Sequence, residues 1–129
     1  MTLDAKRKTR DYLYGRLLAL AESLEGWALN EAHEKRETNA ARLMQRFAER
    51  PFSTWRTIEL ALVPYKARLG GKSYKRQQMI DEVIAAFQEN DFLSDQRLSG
   101  EFLLGYHSQR EFLRNRPQAD QETAEAENE

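Results

Sequence analysis

Cysteine is absent from the 129 residues, and histidine, proline and glycine are scarce, with two, three and six residues respectively. Without cysteine the chain can form neither a disulfide nor a thiolate metal site, and it has no cysteine nucleophile. This composition fits a cytoplasmic protein without requiring one. No apolar run approaches the ~20 residues that span a bilayer, and the basic N-terminal residues lead into no apolar signal segment. We therefore expect one soluble domain with no membrane partner.

Groups that carry catalysis or bind metals are equally scarce. His33 and His107 are far apart in the sequence and stand in neither an HxxxH nor an HExxH setting. Asp81 and Glu82 are adjacent, so on a helix they point to different faces and cannot form an acid–base pair alone. The segment 71–73 (GKS) resembles the end of a phosphate-binding loop, but the first glycine of that motif is replaced by Lys66. We expect no enzymatic activity, no cofactor and no metal.

The formal net charge of −1 conceals an uneven distribution of charge. Five of the 21 acidic residues and none of the 20 basic residues follow Arg116, so residues 1–116 carry 20 bases and 16 acids. A mildly basic body with an acidic tail is compatible with a polyanionic partner, although +4 is too weak to establish one. Residues 117–129 (PQADQETAEAENE) contain no core-forming side chain. We expect a domain over residues 1–116 and a disordered acidic tail over residues 117–129.

Apolar residues recur at helical spacing along the body, and no segment of adequate length alternates with the period of a β-strand. The predicted helices run from about Asp4 to Ala32, from Thr38 to Arg50, from a cap at Ser53 or Thr54 to Gly70–Gly71, from Lys72 to Gln88, and from Ser99 to Asn115. Pro64 should kink or split the third helix, because proline lacks an N–H and clashes with the preceding turn. The sequence predicts an all-α fold, a compact bundle of about five helices with short connections.

Aromatic side chains suggest both core positions and possible contacts with bases. Trp27 and Trp55 fall at periodic apolar positions and are interpreted as core residues. Tyr14 and Tyr74 lie near basic clusters and are the better candidates for stacking on bases, although packing against the protein is the default for each. Phe92 and Leu93 could dock the loop over residues 90–96.

The most patterned stretch of the sequence is residues 38–56, TNAARLMQRFAERPFSTWR. Its apolar residues form one helical face, whereas Arg42, Arg46 and Arg50 recur every fourth residue and would stack in a row on another side. A row of guanidiniums suits a phosphate backbone, because each can donate two hydrogen bonds to phosphate oxygens. The more common explanation of such a row is a solvated face, and Glu49 could neutralise part of it.

Two further basic clusters are candidate nucleic-acid contacts. Lys72, Lys75 and Arg76 form one of them, and Lys6, Lys8 and Arg10 form the other. Both lie in the N-terminal turns of predicted helices, where the helix dipole favours acids rather than bases. Residues that oppose a local preference are candidates for function. For the cluster at Lys6, a frayed terminus in which charge matters little is an equally good explanation.

Four stretches together resemble a known family. They are Lys8–Leu20 (KTRDYLYGRLLAL), Arg36–Met44 (RETNAARLM), Arg50–Glu59 (RPFSTWRTIE) and Leu98–Arg110 (LSGEFLLGYHSQR). They are similar to the C-terminal helical portion of the large subunit of the type I-C CRISPR surveillance complex (Cascade), in the same order and at similar spacing. The resemblance covers roughly residues 4–110 and lacks the N-terminal region of that large subunit.

The resemblance implies a role and a set of partners. In that family the C-terminal region is also made alone from an internal start, as the small subunit of the complex, and a chain that begins just before these helices resembles that product. The resemblance therefore implies a non-catalytic role in the antiviral complex, in more than one copy. The implied partners are the backbone filament, the large subunit, the guide RNA and the target DNA with its displaced strand. Recognition of the protospacer-adjacent motif, which the family assigns to the missing region, is not implied. The alternative is a purely structural subunit whose basic rows pair with acidic surfaces of neighbouring proteins.

Overall fold

The computed structural model describes residues 2–115, and the predicted acidic tail and the last residue of the predicted domain lie outside that range. The helices are α1 (Arg10–Glu31), α2 (Asn39–Arg42), α3 (Met44–Glu49), α4 (Pro51–Leu69), α5 (Tyr74–Ala86) and α6 (Glu101–Asn115), with a 3₁₀ turn over Gly70–Ser73. Residues 2–115 contain no β-strand. The all-α prediction is therefore confirmed.

Helix α1 is the centre of the fold. It packs most extensively against α6 and also contacts α4, α5 and α2. Its apolar residues are not confined to one stripe, since five consecutive residues, Leu17–Ala21, are all buried. A helix that is apolar on nearly every side is stable only where other helices surround it. The fold is thus organised around α1, and not around residues 38–56, the most patterned stretch of the sequence.

Two glycines allow α1 and α6 to cross at unusually short range. A Cβ atom added to Gly15 would lie 1.9 Å from the Phe102 carbonyl oxygen, and one added to Gly105 would lie 2.0 Å from the Tyr12 carbonyl oxygen. The obstacle is backbone in both cases, so a rotamer change cannot remove it. Each glycine is therefore required by the helix on the other side of the crossing.

The first helix begins five residues later than the sequence predicted. Thr9, rather than Asp4, occupies the N-cap position of α1. Residues 4–7 instead form a turn in which the Arg7 N–H donates to the Asp4 carbonyl oxygen. Lys6 and Lys8 precede the helix, so the argument that they oppose its dipole does not apply to them.

The second predicted helix is divided at Leu43 into α2 and α3. Thr38 caps α2 as predicted, because its hydroxyl oxygen accepts the Ala41 N–H at 3.1 Å. The predicted buried face is largely kept, with Ala40, Leu43 and Phe47 buried. The division matters for function, since a row of arginines along one continuous helix is not formed.

Helix α4 begins at Pro51, earlier than the predicted cap at Ser53 or Thr54. A residue distant in the sequence accepts hydrogen bonds from the first turn of α4. The Asp95 carboxylate accepts the Ser53 N–H at 2.8 Å and also the Ser53 hydroxyl. Those hydrogen bonds hold the pKa of Asp95 below its usual range. Pro64 does not split α4, which continues to Leu69. Gly70, at φ +60°, ends the helix as expected.

An aromatic cluster joins α1, α3, α5 and the 90–96 loop. Tyr14 packs edge-on against Phe47 and Phe87 and stacks on Phe92, with ring centroids 4.9–5.8 Å apart. Its hydroxyl donates to the Phe92 carbonyl oxygen. Phe92 therefore docks the loop as predicted, whereas Leu93 is exposed and that part of the prediction is wrong.

Candidate nucleic-acid interface

The three arginines of the 38–56 stretch are all exposed. Arg42 lies in α2, Arg46 in α3, and Arg50 forms the junction between α3 and α4. Arg42 donates to the Asn39 side-chain oxygen at 2.8 Å, and Arg50 acts electrostatically on Asp95. Within residues 2–115 no hydrogen bond or ion pair of the Arg46 side chain is present. These guanidiniums are accessible to an external anion.

Two arginines that the sequence analysis missed extend this basic surface. The Leu98 N–H donates to the Ala48 carbonyl oxygen at 2.8 Å, which places the exposed Arg97 beside the end of α3. Arg56, also exposed, lies over the Phe52 ring at 5.8 Å in the first half of α4. Arg97 is 47 residues from Arg50 in the sequence, so no periodic pattern could have joined them.

The cluster of Lys72, Lys75 and Arg76 faces the C-terminal half of α1. The Lys72 ammonium forms an ion pair with Glu31 at 2.7 Å, and the Arg76 guanidinium lies over the Trp27 ring at 5.2 Å. Lys75 is half-buried. Lys72 lies in the 3₁₀ turn, because α5 begins at Tyr74 rather than at Lys72.

Arg10 has a structural task that the sequence did not indicate. Its guanidinium donates to the carbonyl oxygens of Asp91 at 3.2 Å and Ser94 at 3.0 Å, and to that of Gln96. It also pairs with Asp11 at 2.9 Å. Arg10 thus fastens the 90–96 loop to α1, and we omit it from the interface proposed below. Lys6 and Lys8 are exposed.

The two tyrosines proposed as stacking residues have different positions. Tyr14 is fully buried in the aromatic cluster and cannot meet a base, so that interpretation is wrong. Tyr74 is 63 % exposed at the start of α5, next to Lys75, and remains a candidate. Trp55 is buried as expected, and Trp27 is half-buried against the core.

The structure reveals a further basic site, a groove between α1, α5 and α6. Its cavity of about 400 Å³ is lined by Ala19, Glu22, Ser23, Gly26, Thr38, Arg76, Arg110, Leu113 and Arg114. Glu22 accepts the Tyr106 hydroxyl at 2.8 and 2.7 Å, and burial, followed by this contact, raises the pKa of Tyr106. The i, i+4 spacing of Arg110 and Arg114 equals that of Arg42 and Arg46, so the sequence carried a signal that we overlooked.

The structure also places the two histidines and the acidic residues of the described part of the chain. His33 and His107 are both exposed and lie on different elements. Over residues 2–115 there is no group of three or more histidine, aspartate or glutamate residues that could hold a metal ion. In the same range, no helix has both the length and the apolar character that crossing a membrane requires.

Comparison with known proteins identifies the family. No curated protein and no solved structure matches the chain. A family model described as CRISPR-associated protein (Cas_Csd1) matches residues 1–114. This match is consistent with a subunit of the type I-C complex that is related to the large subunit, as the four resembling stretches indicated. The chain therefore belongs to the type I-C Cas_Csd1 family of CRISPR-associated proteins.

Proposed function

We propose that the chain is a non-catalytic small subunit of the type I-C Cascade complex that contacts nucleic-acid backbone and stabilises the R-loop. Its partners would be the backbone filament, the large subunit, the guide RNA, the target DNA with its displaced strand, and a second copy of the chain. In such complexes base pairing with the guide supplies sequence specificity, while protein subunits supply positive surface. Family membership and the exposed arginines support this proposal.

The observation that carries the proposal is the basic surface around α3. Its exposed arginines are Arg42, Arg46, Arg50 and Arg56, which lie close together in the sequence, and Arg97. The hydrogen bond between the Leu98 N–H and the Ala48 carbonyl oxygen places Arg97 beside the end of α3. Arginine is the side chain best suited to phosphate, because its planar guanidinium donates two parallel hydrogen bonds. Contacts of this kind position a backbone without reading its bases.

A second candidate function, protein–protein assembly alone, is favoured by an apolar row on α4. Leu60, Val63, Pro64 and Ala67 follow i, i+3, i+4, i+7 spacing and are all exposed. Leu60 is 70 % and Val63 is 56 % accessible. An exposed apolar row on a helix is a common feature of a protein contact. In this alternative, the arginines would pair with acidic surfaces of neighbouring subunits.

Replacement of Arg42, Arg46 and Arg50 by alanine should weaken binding of target DNA by the assembled complex about tenfold or more at low salt. Each lost phosphate contact should also make the plot of log K against log salt shallower by about 0.7 for a single strand or 0.9 for a duplex. The measurement is a salt titration of target affinity for complexes purified with and without the substitutions. Sequence preference should not change, because phosphate contacts are indifferent to sequence.

Arg68→Ala is the matched control, because Arg68 is exposed but pairs with Glu34 at 3.2 Å away from this surface. A triple variant that assembles and binds target DNA with unchanged affinity and salt slope would exclude these contacts. A triple variant that fails to co-purify with the complex while Arg68→Ala succeeds would support the assembly function instead.

A further inference from the structure

The point where α6 ends, just before the acidic tail (residues 117–129), lies close to the start of α2. The described part of the chain ends at Asn115, the last residue of α6. Arg114, in the last turn of α6, and Thr38, the N-cap of α2, line the same cavity. Arg42 follows Thr38 by about 6 Å along a helix, at 1.5 Å per residue. The described chain therefore ends beside the helix that leads into the basic surface around α3.

The acidic tail is long enough to span that basic surface. It contains no lysine or arginine, and its acids are Asp120, Glu122, Glu125, Glu127 and Glu129. An extended chain spans at most about 3.3–3.6 Å per residue, so the first of these acids can lie roughly 17 Å from Asn115 and the last roughly 48 Å. Residues 42–50 span no more than about 12 Å, even as one straight helix. The tail carboxylates can therefore reach the arginines along the whole of this span.

The basic surface around α3 carries a positive excess within the described residues. Its five exposed arginines are accompanied by two exposed acids, Glu49 and Asp95. Asp95 is already engaged, because its carboxylate accepts the Ser53 N–H at 2.8 Å. Within residues 2–115, the Arg46 side chain forms no hydrogen bond or ion pair. An acidic peptide is therefore complementary in charge to this surface.

The arginines in the last turns of α6 are nearer to the tail, but they already have acidic partners. Arg110 forms an ion pair with Glu22 at 3.4 Å, and Arg114 interacts electrostatically with Glu111. Single exposed ion pairs are weak, so an acidic segment is held best where several guanidiniums without acidic partners lie together. A short tether raises the effective concentration of the tail to the millimolar range, which compensates for weak individual contacts. The surface around α3 is therefore the stronger site for the tail.

We propose that the acidic tail binds the basic surface around α3 of its own chain and competes there with nucleic acid. The contact itself needs no partner, whereas the competition rests on the proposed function. If the tail covers the surface for about four-fifths of the time, the apparent affinity of the surface for a polyanion falls about fivefold. Salt weakens the contact, because the Debye length shortens as ionic strength rises. The tail thus limits binding of unrelated polyanions and yields where the assembled complex holds nucleic acid against the surface.

Two introduced thiols test the contact in the isolated full chain at low protein concentration. Gln45→Cys lies on α3 and Ala124→Cys lies in the tail, so the disulfide between them reports how often the tail visits the surface. Ala85→Cys with Ala124→Cys is the matched control, because Ala85 is exposed on α5 one turn from Asp81 and Glu82. At low salt we expect the 45–124 disulfide to form about fivefold faster than the 85–124 disulfide, and at about 1 M salt we expect similar rates.

A neutral tail of the same length separates the effect of charge from that of bulk and thiol reactivity. In this variant Asp120 is replaced by Asn and the four tail glutamates by Gln, and the 45–124 disulfide should form about fivefold more slowly than with the acidic tail. In the assembled complex the neutral tail should raise the affinity for target DNA about fivefold at low salt, with convergence at high salt. With Arg42, Arg46 and Arg50 replaced by alanine, neutralising the tail should have almost no effect on that affinity.

Equal 45–124 disulfide rates with the acidic and neutral tails would overturn the proposed tail contact without affecting the proposed function. Unchanged affinity for target DNA with the neutral tail would overturn the competition, even if the disulfide formed quickly. The proposed function fails separately if the Arg42, Arg46 and Arg50 variant with the acidic tail binds target DNA as the wild type does. A neutral-tail chain that no longer assembles would assign the tail to a protein partner and would also overturn the proposal.

Discussion

Gly15→Ala should destabilise the protein by about 3 kcal/mol or more, at the upper end of the range for overpacked sites. The new methyl group would lie 1.9 Å from the Phe102 carbonyl oxygen, so α1 and α6 would have to separate. Gly105→Ala should have a similar effect, because its methyl group would meet the Tyr12 carbonyl oxygen at 2.0 Å. Thermal and urea denaturation measure the loss, which should lower the Tm by roughly 10 °C.

Gly26→Ala on the same helix is the control for this prediction. A methyl group there meets nothing closer than 4.0 Å, so the usual preference of a helix for alanine should apply. We expect this variant to gain up to about 1 kcal/mol of stability. If Gly15→Ala proved as stable as Gly26→Ala, the close crossing of α1 and α6 would be wrong.

Glu25→Ala should cost about 2–3 kcal/mol, because it removes the charged acceptor of hydrogen bonds from the half-buried Asn39 and from Arg36. Glu25 is 1 % exposed, and its carboxylate accepts the Asn39 N–H at 2.8 Å, the Asn39 side-chain amide at 3.1 Å and Arg36 at 3.1 Å. It thereby fastens the start of α2 and the preceding connector to α1. Arg36 is partly exposed and can be solvated after the change, so the loss is smaller than for a fully buried ion pair.

Urea denaturation and limited proteolysis of the connector over residues 32–38 measure this effect. Glu37→Gln is the matched control, since Glu37 is exposed in the same connector. We expect Glu25→Ala to be cleaved in the connector much faster than the wild type and Glu37→Gln to be cleaved at the wild-type rate. Equal cleavage of the two variants would show that Glu25 does not anchor α2.

The sequence predicted the fold class well, because helical periodicity is a local property. Thr38 as a cap, Gly70 as a stop and most apolar faces could be derived from neighbouring residues alone. The prediction was wrong where residues distant in the sequence determine the start of a helix or the burial of a helix face. The Asp95 carboxylate satisfies the first turn of α4 from 42 residues away, and packing of α4, α5 and α6 around α1 buries faces that a single stripe would leave exposed.

The candidate interface could be predicted only in part for the same reason. Helical periodicity predicted that Arg42, Arg46 and Arg50 lie outside the core, and all three are exposed in the structure. The hydrogen bonds of Arg10 and Tyr14 to backbone carbonyl oxygens form because the 90–96 loop folds back onto α1. No local sequence pattern encodes that contact. The groove likewise depends on tertiary packing, because Arg76 of α5 and Arg110 of α6 line it together with residues of α1.

Site-directed crosslinking in the assembled complex tests most directly whether this surface meets nucleic acid. The chain contains no cysteine, so a single introduced thiol can carry a photoreactive group without side labelling of this subunit. Gln45→Cys places the group on α3 between Arg42 and Arg46, and Ala85→Cys places it at an exposed position on α5 as the control. Each labelled subunit is assembled with guide RNA, partner subunits and target DNA before irradiation. Our account predicts crosslinks from position 45 to guide RNA or target DNA, and few from position 85. Crosslinks from position 45 to protein subunits alone, with none to either nucleic acid, would contradict it.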